Sequence, residues 1–165
     1  MTKEKHYEGN LNKLKEEYEK IRKQNNLPDF SFMNENFFIE DIEINETELF
    51  VRILRKKVAE KVFFISRSIE MLTTTQNAPF FALGIIKSFG DKEKELLKKL
   101  YKKIASYEIE SFGLDISYDE KKELAFIKLV CADWKEISDG MNQIYLVMKE
   151  SYGKEDEKQG RAYFG

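Results

Sequence analysis

Residues 50–72, FVRILRKKVAEKVFFISRSIEML, decide the fold of this chain. Plotted at 100° per residue, their apolar side chains fall into two separate arcs, which indicates a helix. The first arc consists of Leu54, Val58, Val62, Ile65, Ile69 and Leu72. The second arc consists of Phe50, Ile53, Phe64 and Met71. Because a helix that is apolar on two sides packs against a neighbour on each, this pattern predicts a central helix in an all-α protein.

Helical periodicity and capping signals extend this prediction to most of the chain. The five predicted helices cover, to within about two residues at each end, residues 8–25, 46–74, 78–89, 91–112 and 117–151. Asn45 with Glu48, and Ser117 with Glu120, have the spacing of a capping box at a helix start. Gly113 is expected to end its helix as a left-handed C-cap. The last helix is expected to continue through Gly140, since its apolar arc keeps its phase there.

The segment between the first two helices is rich in phenylalanine and irregular in pattern. Pro28 ends the first helix, and residues 27–45 can form either a brief helical turn or an extended strap over the core. We take this segment as an aromatic-rich connecting strap. The whole is then an antiparallel bundle of four to five helices with short loops. It forms one domain over residues 1–153, followed by a flexible charged and aromatic tail over 154–165.

Composition places the chain among soluble intracellular proteins. It has 165 residues, a net charge of −2, and Cys131 as its only cysteine. This excludes a disulfide framework within the chain and favours a reducing compartment. The N-terminus has no apolar signal region, and the apolar stretch 78–89 is far short of the roughly 20 residues of a membrane span. We expect a cytoplasmic protein without membrane contact.

No catalytic or cofactor motif is present in the sequence. Phosphate-binding loops, dinucleotide fingerprints and zinc-protease motifs are missing, and Cys131 lies in an apolar arc, where a small core residue is expected rather than a nucleophile for His6. The acidic pairs Glu120–Glu123 and Glu136–Asp139 leave a metal-dependent helical hydrolase as a third alternative. We otherwise expect no enzyme, no cofactor and no metal.

A stripe of basic residues on the second long helix provides the second alternative. It consists of Arg52, Arg55, Lys56 and Arg67, within about 120° of the helix circumference. Such a stripe can neutralise phosphates, which would suit a nucleic-acid-binding accessory factor. It can equally pair with nearby carboxylates.

Aromatic residues support the preferred interpretation, which is a protein–protein interaction module acting as an adaptor, complex subunit or regulator. The chain holds thirteen phenylalanines and eight tyrosines. If the short helix 78–89 is left partly open, its phenylalanines could anchor a partner or a second copy. The charged tail ends in two further rings that could dock onto another protein. The candidate partner-binding residues are Tyr163, Phe164, Phe80, Phe81 and Phe89.

Overall fold

A computed structural model describes the backbone of residues 2–43, 49–74 and 79–162. It describes the side chains of residues 10–43, 49–74, 79 and 82–152. Within these ranges the regular structure is entirely helical, which confirms the all-α class. The helices are α1 (Thr2–Asn25), α2 (Phe30–Phe37), α3 (Phe50–Thr73), α4 (Phe80–Ser88), α5 (Asp91–Ile116) and α6 (Glu120–Ala162), with a 3-10 turn at Ile39–Asp41.

The chain divides into two compact units. The first contains Met1–Lys61 and Tyr107–Ala132, and the second contains Val62–Ser106 and Asp133–Gly165. Helices α3, α5 and α6 each contribute residues to both units. The single bundle domain expected over residues 1–153 stays a prediction.

The aromatic segment after α1 is helical, so the extended strap is corrected to α2 and the 3-10 turn. Asp29 has extended backbone and its Oδ1 accepts a hydrogen bond from the Phe32 amide at 2.7 Å, which caps α2. Phe38 then ends α2 in the left-handed conformation, at φ 55°. This additional helix raises the number of α-helices in the described ranges to six, above the four to five expected. The predicted capping box of Asn45 and Glu48 lies outside the described residues.

Tyr18 fastens the connection between α1 and α2 in the first unit. Its side chain is fully buried, and its hydroxyl donates to the Pro28 carbonyl at 2.8 Å. Its ring meets Phe30 edge-on, with 5.7 Å between the centroids. Burial raises the pKa of Tyr18, so the hydroxyl keeps its proton and remains a donor. Leu14, one turn earlier on the same face of α1, is buried as well.

Helix α3 buries only one of its two apolar arcs. All six residues of the first arc are at most 6 % exposed, as the sequence predicts. Phe64 of the second arc is 64 % exposed, and the other three members of that arc are half-buried. The expectation of two fully packed faces is therefore not met, since the second arc is only partly covered.

Gly140 allows α5 and α6 to approach closely in the second unit. A Cβ atom at this position would lie 3.0 Å from Leu100 Cδ1 and 3.2 Å from Leu100 Cδ2. Leu100 itself is 2 % exposed. The prediction that α6 runs unbroken through Gly140 is confirmed, and the missing side chain makes room for a buried leucine.

Two predicted helix boundaries between α5 and α6 are wrong. Helix α5 continues through Gly113 to Ile116, and none of the glycines in the described ranges has a positive φ. Asp119, rather than Ser117, caps α6: its Oδ1 accepts from the amides of Lys121 and Lys122 at 3.0 and 3.2 Å. Asp119 directly precedes the helix, so its carboxylate lies next to the first free amides of α6. Ser117, the residue expected as the cap, lies two residues further from them.

The end of α6 also differs from the expectation. The helix reaches Ala162 instead of ending near residue 151, so the backbone of residues 154–162 is helical rather than an extended tail. Lys, Glu, Gln and Arg, which favour helices, make up most of this run. Tyr163 and Phe164 lie outside the described residues.

Candidate functional site

A buried ionic cluster joins α3, α5 and α6 in the first unit. Arg55 is 1 % exposed and donates from Nε to Glu123 Oε2 at 2.7 Å and from Nη1 to Ser111 Oγ at 3.0 Å. Its Nη2 donates to Asp115 Oδ1. Burial lowers the pKa of Arg55, but the hydrogen bonds to Asp115 and Glu123 outweigh it and raise the pKa above its ordinary value. The guanidinium is thus a permanent cation that holds three helices.

Arg52 completes this cluster one turn before Arg55. Its Nη2 donates to the carbonyls of Leu114 and Asp115, at 2.9 and 3.2 Å, and so satisfies the last turn of α5. Its Nε lies 3.7 Å from Glu123 Oε1, and both atoms are buried without a hydrogen bond. Two arginines therefore face two carboxylates. Because the charges balance and all three guanidinium nitrogens of Arg55 donate hydrogen bonds, the cluster is suited to fixing the helices in place.

The predicted basic stripe is not a continuous surface. Arg55 is buried and Arg52 is half-buried, whereas only Lys56 and Arg67 are exposed. The partner carboxylates come from positions that sequence reasoning had not paired with this helix. Glu123 offered a signal, since it lies four residues before Ile127 within the apolar arc of α6. A carboxylate in that position needs a buried cation.

Of the three phenylalanines predicted to bind a partner from the short helix, the structure describes the side chain of one. Phe89 is 3 % exposed, so its assignment to a partner surface is wrong: it is a core residue that follows α4. Ala82 and Ile85 of α4 are buried too. The side chains of Phe80 and Phe81, like Tyr163 and Phe164 at the end of the chain, lie outside the described residues.

Two of the residues considered for chemistry, Cys131 and Glu136, are engaged in other contacts, whereas the side chain of His6 lies outside the described residues. Cys131 is buried, with its thiol 3.5 Å from Met33 Sδ, and burial raises the pKa of the thiol to about 12. Glu136 forms ion pairs with Lys103 at 2.6 Å and Lys99 at 2.7 Å. In the part of the chain that the structure describes, no three His, Cys, Asp or Glu side chains gather as a metal site would require.

An open groove of about 500 Å³ lies in the first unit beside the start of α3. Arg52, Lys56 and Lys57 line it together with Glu43 and Leu49. Residues 44–48, which are outside the described ranges, connect Glu43 to Leu49. Because these five residues join two of its lining residues in the sequence, the groove is not proposed as a ligand site.

Among the described residues of the first unit, the most exposed apolar side chains form an outward stripe on α5. We call Ile109, Phe112 and Ile116 the outer stripe; they are 75 %, 68 % and 73 % exposed. On the helical wheel they lie opposite Tyr107 and Leu114, which are each 3 % exposed. This half of α5 is therefore apolar on two opposite sides, and the chain covers one of them.

Gly113 lies within the outer stripe and leaves a shallow notch there. A Cβ atom built at this position would have no atom within 4 Å. Glu108 borders the stripe on one side, about 40° around the helix from Phe112, whereas Glu110 lies about 160° from Phe112, on the side of the buried Leu114. The surface is thus an apolar strip with a notch and one acidic border, a composition typical of a contact face.

Comparisons with known proteins do not assign this chain to a group: no protein family, no curated protein and no solved structure matches it. Among the helices in the described ranges, none carries an apolar stretch that could span a bilayer. The functional argument therefore depends on the surfaces of the molecule itself.

Proposed function

We propose that this chain is a non-catalytic helical module that binds another protein in the cytoplasm, as an adaptor, complex subunit or regulator. The observation that carries the proposal is the outer stripe, in which three large apolar side chains on one helix are at least 68 % exposed. Exposed apolar side chains scattered singly are common, but adjacent ones along a helix are typical of contact surfaces.

Phe112 is the expected energetic centre of this contact. It lies between the two isoleucines, and a large aromatic side chain that becomes buried at the middle of an interface contributes more than its neighbours. Gly113 beside it allows a partner to approach the helix backbone closely. We take the supporting fold to be an antiparallel helical bundle, in which Tyr163 and Phe164 remain a separate docking hypothesis.

The alternative of nucleic-acid binding has weaker support. Of the four residues proposed for it, Lys56 and Arg67 remain exposed, and two cations neutralise few phosphates. The hydrolase alternative has lost two of its proposed ligands, because Glu123 and Glu136 are engaged with basic side chains. Binding of a protein through the outer stripe is the function that the geometry supports best.

Capture of partners from source cells tests the proposal with three baits: the unchanged chain, Phe112→Glu and Phe64→Glu. Phe64 is the matched control, because it is a phenylalanine on another helix with a similar exposure of 64 %. We expect a partner that is retained by the unchanged chain and by Phe64→Glu but lost by Phe112→Glu. The same proteins in all three captures would contradict the proposal. Circular dichroism of each bait checks that the fold is intact.

A further inference from the structure

We propose that the partner presents a single amphipathic helix with a basic border on the side that faces Glu108, and that this helix lies lengthwise along the outer stripe. This inference rests on the proposed function and specifies the chemistry of its partner. Ile109, Phe112 and Ile116 are spaced by three and four residues along two turns of α5, a length of about 10 Å. The apolar side of a partner helix repeats at the same intervals, so its side chains can pack between these three.

The charge around the outer stripe favours a basic partner. Between Lys103 and Lys121 the sequence holds five carboxylates and no basic residue. Asp115 accepts a hydrogen bond from Arg55, and Asp119 caps α6. Glu108 remains as an acidic border of the stripe, and a lysine or arginine beside an apolar partner face would lie opposite it. Complementary charge of this kind selects the partner and speeds its association.

A second copy of this chain fits the same surface less well. Two identical stripes brought together would place their acidic borders side by side, and like charges opposed across an interface are unfavourable. Gly113 fits the partner-helix arrangement, since a helix axis can approach closely where one helix lacks a side chain. The outer stripe is therefore assigned to a different, basic helix.

Two synthetic peptides serve as probes for this inference. Both are fluorescently labelled, about 18 residues long, and carry leucines on one face at spacings of three and four. One has lysines on both borders of the leucine face, and its twin has glutamates at the same positions. Binding is measured by fluorescence anisotropy with the full chain, at about 50 mM and about 500 mM salt. We expect the lysine peptide to bind at least about tenfold more tightly at low salt.

Two variants show whether that preference arises at the outer stripe. Phe112→Ser, which changes no charge, should weaken the lysine peptide about tenfold. Glu108→Lys should remove the preference for the lysine peptide. Phe64→Ser should bind like the unchanged chain. Equal binding of the two peptides, or a lysine preference that survives both variants, would overturn the inference.

The failure of this inference is distinguishable from the failure of the proposed function. If Phe112→Glu loses its cellular partner while the two peptides bind equally, the protein-binding function stands and the basic helix is wrong. If sedimentation equilibrium shows a dimer of the unchanged chain that Phe112→Glu dissociates, the occupant is a second copy and the inference is overturned. If Phe112→Glu retains every partner, the proposed function itself fails.

Discussion

Arg55 and Glu123 meet in the interior of the first unit, with Arg55 Nε 2.7 Å from Glu123 Oε2. Their side chains are 1 % and 0 % exposed, and 68 positions of sequence separate them. Because each charge has been removed from water, neither can be left without the other. The main effect of the pair is therefore to fix which stretch of α3 faces which stretch of α6. Its contribution to the net stability is smaller.

Replacement of Arg55 alone should severely destabilise the chain. In Arg55→Met, Glu123 loses a buried hydrogen bond and stays in an apolar environment, so we expect a loss of about 3–5 kcal/mol in the free energy of unfolding. Urea denaturation followed by circular dichroism measures this loss. The double variant Arg55→Met with Glu123→Leu should recover much of it, since Glu123 is then no longer a buried charge without Arg55, although Arg52 Nε loses the carboxylate 3.7 Å away.

The ion pair of Lys103 and Glu136 provides the matched control for that experiment. Both side chains are partly exposed, at 26 % and 44 %, so Lys103→Met should cost no more than about 1 kcal/mol. If Arg55→Met lowered the free energy of unfolding as little as Lys103→Met, the buried cluster would not hold α3, α5 and α6 together.

The stability of the second unit should depend on the ionisation of Glu136 in acid. Hydrogen bonds from Lys103 and then from Lys99 lower the pKa of Glu136 to about 2, from an ordinary value of 4.5. The folded state therefore favours the carboxylate. Its contribution to stability is fully present above a pH of about 4.5 and is lost as the pH falls toward about 2. The melting temperatures of the unchanged chain and Glu136→Gln should differ at neutral pH and converge through this range.

High salt serves as the check on this pH effect. Since Glu136 is 44 % exposed, salt should screen its ion pairs and reduce the difference between the two melting temperatures. A difference that stayed constant down to pH of about 2 would show that the carboxylate has no lowered pKa in the folded chain.

Cys131 should be unreactive while the protein is folded. Burial raises the pKa of its thiol to about 12, and the thiolate is the reactive form. We expect iodoacetamide to alkylate it at slightly alkaline pH only as fast as the chain opens, and at least about a hundredfold faster after denaturation in guanidinium. Mass spectrometry follows the modification. Rapid alkylation of the folded protein would mean that the thiol is accessible.

Alanine at the two helical glycines should have different effects. At Gly113 a Cβ meets open space, so Gly113→Ala should raise the free energy of unfolding by about 0.5–1 kcal/mol through helix propensity. The same change should weaken capture of the partner, because it fills the notch. At Gly140 the new Cβ would lie 3.0 Å from Leu100 Cδ1. This close contact should cancel or reverse the stabilisation that alanine gains from helix propensity. Equal stabilisation at the two positions would contradict this account.

Apolar periodicity predicted the features that depend on one helix at a time. The first arc of α3 is buried from Leu54 to Leu72, and α5 buries its predicted residues Leu97, Leu100, Ile104 and Tyr107. In these helices the spacing of large apolar groups selects the inward face directly. The same reasoning predicted one continuous helix through Gly140, although it could not show that Leu100 occupies the space beside this glycine.

The sequence pattern did not predict features that depend on contact between two segments far apart in the sequence. Arg55 lies at the edge of an apolar arc, and only the approach of Glu123 and Asp115 decides that it is buried rather than exposed. The outer stripe was missed for a related reason: Ile109 and Phe112 repeat with helical spacing, but exposure depends on where neighbouring helices are absent. The pattern left residues 27–45 open between a brief helical turn and an extended strap, because Asp29 was not recognised as the cap of α2.

The pairing of Arg55 with Glu123 has a consequence for how this protein can evolve. Loss of either residue alone removes a large share of a total stability of about 5–15 kcal/mol, whereas simultaneous replacement by apolar residues is nearly neutral. Selection should therefore remove the single changes and tolerate the double one. Distant homologues should keep both residues or lack both, so that covariation between positions 55 and 123 becomes a way to recognise them.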